Sequence, residues 1–249
     1  MIKLEWSEEF CTITFDRPHK RNALTSDMYR TMTKALQDAA ASLTIKAVIF
    51  RHEGDFFCAG HDLEGFLQHD FDESHPLILF LKELIKCPKY MFAALEGPAI
   101  GIGATLLCHC DFVIARETVT LQTPFVHLGV CPEAASSQLF ERIFGRNIAR
   151  QMLLLGREIK ITDIADRLAT EVCTDDNHFF SALERLVTEI KSLPLHSLLV
   201  AKDLMRDFDD NLERIIEREN KTFKALLATE ETQAIIREKL ISISKKNTR

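Results

Sequence analysis

Two glycine-bearing segments hold the residues best suited to chemistry, Phe57-Cys-Ala-Gly-His-Asp-Leu63 and Glu96-Gly-Pro-Ala-Ile-Gly-Ile-Gly-Ala-Thr105. In each, glycine and other small residues stand where strand-like sequence gives way to helix-like sequence. Such junctions leave backbone N–H groups outside any helical ladder, aimed at whatever binds there. Two of them, some forty residues apart, can bring two donors to one oxygen. An enolate oxygen needs that arrangement, each donor contributing roughly 3–4 kcal/mol in comparable oxyanion holes. Turn or packing glycines are the plainer reading of Gly97, Gly101 and Gly103. A dinucleotide loop fails, because Gly103 is followed by Ala-Thr-Leu106 and the G-x-G-x-x-G spacing is not met.

The elements that must position these segments are readable from periodicity. Ile2-Lys-Leu-Glu-Trp6 and Phe10-Cys-Thr-Ile-Thr-Phe15 alternate apolar and polar residues across a short break, a hairpin pattern. Thr25-Ser-Asp caps a helix in which Met28, Met32, Ala35, Leu36 and Ala39 recur at helical spacing. Lys46-Ala-Val-Ile-Phe-Arg51 and Tyr90-Met-Phe-Ala-Ala-Leu95 read as buried strands, with a helix over 75–86 between them. A short helix over 104–110 and strands over 111–115 and 119–122 follow. Beyond residue 133 the chain reads as almost entirely helical: 133–144, 147–155, 162–168, 178–191, 195–206, 211–227 and 230–243. The result is an α/β core, with strand-strand-helix recurring three or four times, followed by a helical tail.

Composition narrows the function classes. The 249 residues carry a net charge of −6 with no long basic run, which argues against nucleic acid as a partner. No apolar stretch nears the roughly 20 residues of a membrane span. Seven scattered cysteines fit reduced thiols in the cytoplasm better than a disulfide framework. The last five residues, Lys-Lys-Asn-Thr-Arg, do not form a Ser-Lys-Leu peroxisomal address.

Four segments together resemble the crotonase superfamily of acyl-CoA enzymes over essentially the whole chain. They are Arg17-Pro-His-Lys-Arg-Asn-Ala-Leu24, Phe57-Cys-Ala-Gly-His-Asp-Leu63, Gly97-Pro-Ala-Ile-Gly-Ile-Gly103 and Thr123-Pro-Phe-Val-His-Leu-Gly129. The resemblance implies a crotonase-like spiral of ββα units over residues 1–195. It also implies a helical C-terminal region over 196–249 that serves trimerisation, as a homotrimer or a dimer of trimers. Coenzyme A would be part of the substrate, with no separate cofactor and no metal. By the family pattern the oxyanion donors are the backbone N–H groups of His61 and Ile102. Ala23, Leu24, Ala59, Gly60, Asp62, Leu63 and Gly103 would line the thioester and pantetheine path. Lys20 and Arg21, with Arg17 beside them, would meet the CoA phosphates, although a solvated loop is equally consistent with three cations.

Within the superfamily the hydratases carry two water-activating glutamates. This chain has Thr105 and Phe125 at those positions, so that pair cannot form. Val130-Cys-Pro-Glu-Ala-Ala-Ser-Ser137 instead resembles the Pro-Glu segment of the Δ3,Δ2-enoyl-CoA isomerases, which makes Glu133 the expected base. One carboxylate that reaches both C2 and C4 can shift a 3-enoyl double bond to the 2-position, first as base and then as acid. The plainer reading of Glu133 is a first-turn helix residue beside Pro132, held there by the macrodipole. The dipole would lower its pKa and an apolar pocket would raise it.

Other pathways for the same enolate stay open, namely decarboxylation of a malonyl-type thioester, acyl-CoA hydrolysis, hydration, or silent acyl-CoA or RNA binding. Residues 69–75 hold two histidines among acids, in no ligand pattern, and read as a mobile polar loop over the acyl pocket. Cys108, His109 and Cys110 point in different directions on a helix and read as core, and His127 reads as a structural histidine. Two tail stripes, one through Leu198, Ala201, Leu204, Met205 and Phe208 and one through Leu212, Ile215, Ile216, Phe223, Leu226 and Leu227, exceed what a small sheet needs. They fit either a subunit interface or internal packing.

Overall fold

A computed structural model describes residues 1–68, 71–206 and 212–247. Strands β1 (Ile2–Trp6) and β2 (Phe10–Phe15) form the expected antiparallel hairpin, Trp6 opposite Cys11. The chain then crosses through α1 (Ser26–Ala41), capped by the Thr25 hydroxyl, which accepts the Met28 N–H. The apolar stripe of α1 is buried as the spacing requires. β3 (Ala47–His52) pairs parallel with β2. Next come α2 (Leu63–Gln68), α3 (Pro76–Lys86) and β4 (Tyr90–Leu95), the last parallel to β3.

The next turn runs through β5 (Ala99–Ile100) and α4 (Ile102–Thr105), which tightens into a 3-10 turn over Leu106–His109. The helix expected over 104–110 therefore starts earlier and changes pitch midway. β6 (Phe112–Arg116), β7 (Thr120–Gln122), α5 (Ser136–Phe144) and α6 (Arg146–Leu155) form a further turn. Two short strands interrupt the region read as helical: β8 (Ile159–Lys160), and, after α7 (Ala165–Leu168), β9 (Glu171–Cys173). At two and three residues they are too short to show a period of two. Pairing alone defines them, β8 with β7 and β9 with β6. Helices α8 (Asp176–Ser192), α9 (Leu195–Arg206), α10 (Leu212–Leu227) and α11 (Glu230–Asn247) complete the chain.

The strands make two layers. The large sheet runs β1-β2-β3-β4-β6-β9, and the small one β5-β7-β8. Single bridges between Cys58 and Ala99 and between Leu24 and His61 extend the small layer back through the earlier turns. Each turn thus lays a strand in the large sheet, a shorter extended piece in the small layer, and then a helix: the spiral of ββα units.

Inside its exposed edge strand β1, the large sheet is buried on both faces from β2 to β6, which explains the apolar runs of β3 and β4. Val48 and Phe50 of β3, Met91 and Ala93 of β4, and Val113 of β6 face one core with α1, α3 and the small sheet. Ala47, Ile49, Phe92 and Ile114 face a second core, closed by Phe179, Leu186 and Ile190 of α8 and Leu198 of α9. α9 is held there by Lys202, which is 5% exposed; its Nζ lies 2.5 Å from Asp111 Oδ2 and 2.7 Å from the Lys89 carbonyl.

The two tail stripes part company. Ile216, Phe223 and Leu227 of α10 are buried in the first core, whereas Leu204 and Met205 of α9 are 62% and 81% exposed; Phe208 lies outside the described residues. Among the described residues, no helix is long and apolar enough to cross a membrane.

Candidate active site

The two glycine turns meet back to back. Gly60 (φ +97°) and Gly101 (φ +58°) adopt backbone that side chains disfavour. A Cβ on Gly60 would stand 3.2 Å from the Ile100 carbonyl oxygen, and one on Gly101 would stand 3.5 Å from Gly60 Cα. Backbone bonds pin both turns. The Gly60 carbonyl accepts the Leu24 N–H, the Leu24 carbonyl accepts the Asp62 N–H, and Gly101 N–H reaches the Gln122 carbonyl. His61 and Ile102 each follow one of the abutting glycines, so their peptide units are neighbours across the small layer. Ile102 opens α4, in the first turn where N–H groups have no intrahelical acceptor. Gly103 permits this approach, since a Cβ there would fall 2.7 Å from Cys58 Cβ.

Glu133 stands outside the helix that sequence spacing assigned to it: α5 begins only at Ser136. Between them Ala134 and Ala135 are both left-handed, each at φ +58°. Non-glycine residues rarely adopt this conformation, which costs about 1–2 kcal/mol apiece. The turn sends the Glu133 carboxyl inward, where it is 8% exposed. Oε1 accepts a 2.6 Å hydrogen bond from the Thr105 hydroxyl, and Oε2 accepts none among the described residues.

The surroundings are mostly apolar, with Glu219 and Asn220 of α10 as the polar exceptions. A cavity between α3 and α10, lined by Phe71, Leu77, Ile78, Leu81, Ile216 and Phe223, ends on Glu133. Burial there pushes the Glu133 pKa up to about 8, against the opposing pull of the Thr105 hydrogen bond and with a smaller upward push from Glu219. Of the two opposing influences expected from sequence, desolvation wins, and the helix dipole has little hold because the residue sits before the first turn. His61 packs its ring on Tyr29 (5.5 Å) and on Phe66 (4.5 Å), with Nδ1 3.3 Å from the Tyr29 hydroxyl.

The residues expected along the CoA path divide. Leu24 is buried and bridged to His61, Ala23 and Ala59 are half-buried beside it, and Leu63 opens α2 against the core. Asp62 is committed elsewhere, because Arg17 Nη1 lies 2.6 Å from its Oδ2 and 3.0 Å from the Ala23 carbonyl. Arg17 therefore braces the loop. Lys20 is exposed, 3.7 Å from Glu64, and Arg21 lies over the Phe56 ring at 4.9 Å.

The loop at 69–75 is less polar than its sequence suggests. His69 and Asp70 lie outside the described residues, but Phe71 is 2% exposed and stacks on His75, whose Nδ1 caps α3 by accepting the Leu77 N–H. His109 Nε2 binds the Ala134 carbonyl oxygen at 2.8 Å, so this residue touches the site's turn. His127 is exposed, its ring near Gly156. Far from the site, Glu171, Cys173 and His178 have side-chain ligand atoms within 4.8 Å of one another. Arg185 occupies both oxygens of that glutamate.

Two residues of the site were missed by sequence reasoning. Thr105 was read only as a lost carboxylate, yet that same reading placed it beside the reacting atoms. Glu219 of α10 is 7% exposed and accepts the Ala135 N–H at 2.7 Å and the Ser137 N–H at 3.0 Å.

Abutting glycine turns, and a buried carboxyl bonded to Thr105 at the end of the helix that follows one of them, in a two-layer ββα spiral define the class as the crotonase superfamily. The family described as enoyl-CoA hydratase/isomerase matches residues 5–242, and the chain belongs to it. It is 35% identical over 228 residues to Enoyl-CoA delta isomerase 2 of Rattus norvegicus, covering 88% of this chain and 58% of that protein. The chain thus spans about three-fifths of that relative's length. A probable enoyl-CoA hydratase of Rhizobium meliloti is 31% identical, covering 88% of this chain and 86% of that one. Among solved structures, Pseudomonas aeruginosa OdaA superposes with a TM-score of 0.89 at 31% identity, over 95% of this chain and 97% of that one.

Proposed function

We propose that the chain is a Δ3,Δ2-enoyl-CoA isomerase acting on 3-enoyl-CoA thioesters in unsaturated fatty-acid degradation. Glu133, ionised, takes a proton from C2. The electron pair spreads through the dienolate onto the thioester oxygen, where the backbone N–H groups of His61 and Ile102 receive the charge. The same carboxyl then delivers its proton to C4, and the double bond lies between C2 and C3. No water enters the balance.

The carrying observation is the Glu133 carboxyl: buried at the end of an apolar cavity, held through one oxygen by Thr105, with Oε2 left to face a substrate carbon. Thr105 and Phe125, at the positions of the hydratase carboxylates, favour isomerisation over hydration. Ala23, Leu24, Ala59, Gly60, Leu63 and Gly103 would form the thioester path, with Lys20 and Arg21 at its mouth. Leu204 and Met205 on α9 and Leu154 and Leu155 on α6 are exposed apolar residues. They support a homotrimer or a dimer of trimers, which light scattering after size exclusion would test. The seven free cysteines support a reducing, cytoplasmic setting.

The test is conversion of trans-3-hexenoyl-CoA to trans-2-hexenoyl-CoA, followed by conjugated-thioester absorbance. Glu133→Gln is expected to lose on the order of 10²–10⁴-fold. Equal rates in both proteins, or formation of a 3-hydroxyacyl product by wild type, would overturn the reading.

A further inference from the structure

Residues 133–137 are an unusual way to enter a helix. The N-cap position of α5 is Ala135, which offers no side-chain oxygen where Ser, Thr, Asp or Asn ordinarily stands. Ala134 and Ala135 are both fully buried and both left-handed. The acceptors come from 84 and 82 residues further along the chain, as the two carboxylate oxygens of Glu219 take the Ala135 and Ser137 N–H groups. The turn is closed on its other side by the Ser136 N–H and hydroxyl, both donating to the Glu133 carbonyl. Glu219 also lines the same cavity as Glu133.

We propose that Glu219 is a positioning residue: by capping α5 from α10 it locks the left-handed turn that aims the Glu133 carboxyl at Thr105 and into the cavity. The inference rests on the proposed function only in naming Glu133 as the base. Without Glu219 the buried Ala135 N–H would lose its acceptor, and the two left-handed alanines would be left with the Ser136 and His109 bonds to hold them. Glutamate suits the task because a helix N-terminus favours a negative partner.

The arrangement has an electrostatic signature. The groups facing Glu133 are Thr105, Tyr29 of α1, Cys58 before the first glycine turn, Cys108 after α4, Cys131 on its own loop, and Glu219. Burial pushes Tyr29 and these thiols up, which keeps them neutral. His109 touches the turn through the Ala134 carbonyl and is common to every variant compared below. The charge of Glu219 is thus the difference that a substitution there reads.

The experiment compares wild type, Glu219→Gln and Glu219→Ala by kcat and KM on trans-3-hexenoyl-CoA, by circular dichroism, and by ¹³C NMR titration of the Glu133 carboxyl. Expected is a kcat loss on the order of 10²-fold in the alanine variant, with KM little changed. The glutamine variant, which keeps one acceptor oxygen, recovers part of that loss. Its Glu133 midpoint falls below the wild-type one, because a neighbouring negative charge is gone. Wild-type kcat with an unmoved midpoint, or an activity loss matched by loss of folded protein, overturns the proposal. Full activity of Glu133→Gln would sink the base assignment instead, and the titration midpoint would then decide the role of Glu219 alone.

Discussion

Thr105 donates its hydroxyl proton to Glu133 across 28 residues of sequence, at 2.6 Å, inside the protein. The bond favours the ionised carboxyl and so opposes the desolvation that raises its pKa. Thr105→Val keeps the shape and removes the donor. A hydrogen bond to a charged group contributes about 1.5–3 kcal/mol, which corresponds to roughly one to two pKa units. The acid limb of kcat/KM is expected to move to higher pH by about that much. A pH profile of both proteins checks this, and an unmoved limb would show that the bond does not bias the base.

The pH dependence of the wild type follows from the same group. Glu133 must be ionised to accept a proton, and its pKa lies at about 8. Activity of the free enzyme should therefore rise through neutrality and level off above pH 8. A profile already flat by pH 6 would mean that Glu133 is not the titrating base.

Stability runs in the opposite direction. Folded protein holds the Glu133 proton up to about pH 8, whereas an exposed glutamate ordinarily loses it at pH 4.5. This group's contribution is fully present below pH 4.5 and is lost as pH rises through 8. Glu133→Gln does not titrate, so it should gain on wild type by a few kcal/mol between pH 5 and pH 9. Urea unfolding at the two pH values measures the difference. Glu219 is present in both proteins and cancels to first order.

Two glycines separate backbone strain from site geometry. Gly101 and Gly145 both have positive φ, but a Cβ on Gly101 would meet Gly60 Cα, whereas one on Gly145 would meet nothing within 4 Å. Each alanine substitution should cost about 1–2 kcal/mol of stability. Only Gly101→Ala should also lower kcat, because its backbone strain falls on the residue directly before the Ile102 N–H, the contact with Gly60 Cα itself being an ordinary 3.5 Å. Equal kcat in the two variants would remove Gly101 from the site.

The Lys202–Asp111 pair is a structural control. Lys202→Ala removes the 2.5 Å partner of the Asp111 carboxylate, which is itself exposed, and should cost about 1.5–3 kcal/mol, the usual effect of losing a hydrogen bond to a charged group. Activity per folded molecule should not change, since α9 packs on the sheet face away from Glu133.

Legibility in the sequence tracked the range of the interactions. The hairpin, α1 with its Thr25 cap and β4 were readable because periodicity and capping are local. Gly60 and Gly101 were readable as turns, and the four quoted segments carried the family. β8 and β9 were not, since strands of two and three residues exist only through their partners. The pairing of Arg17 with Asp62 was not readable either, because the carboxylate lies 45 residues away. The resemblance singled out Glu133, which the structure buries, but its turn was not readable, because alanine gives no local sign of left-handed backbone. Glu219 was invisible for the same reason as Arg17, at nearly twice the separation.

That separation has a temporal meaning. A ribosome adding about 5–20 residues per second completes the Ala135 turn several seconds before Glu219 exists. Throughout that interval the nascent chain carries a glutamate whose turn is uncapped and whose cavity lacks the α10 wall. A product of interrupted translation that ends before α10 would lack the Glu219 acceptors and the Ile216 and Phe223 side of the cavity. On the proposed reading, the carboxyl, its turn and its cavity come together only once the C-terminal helices have been made.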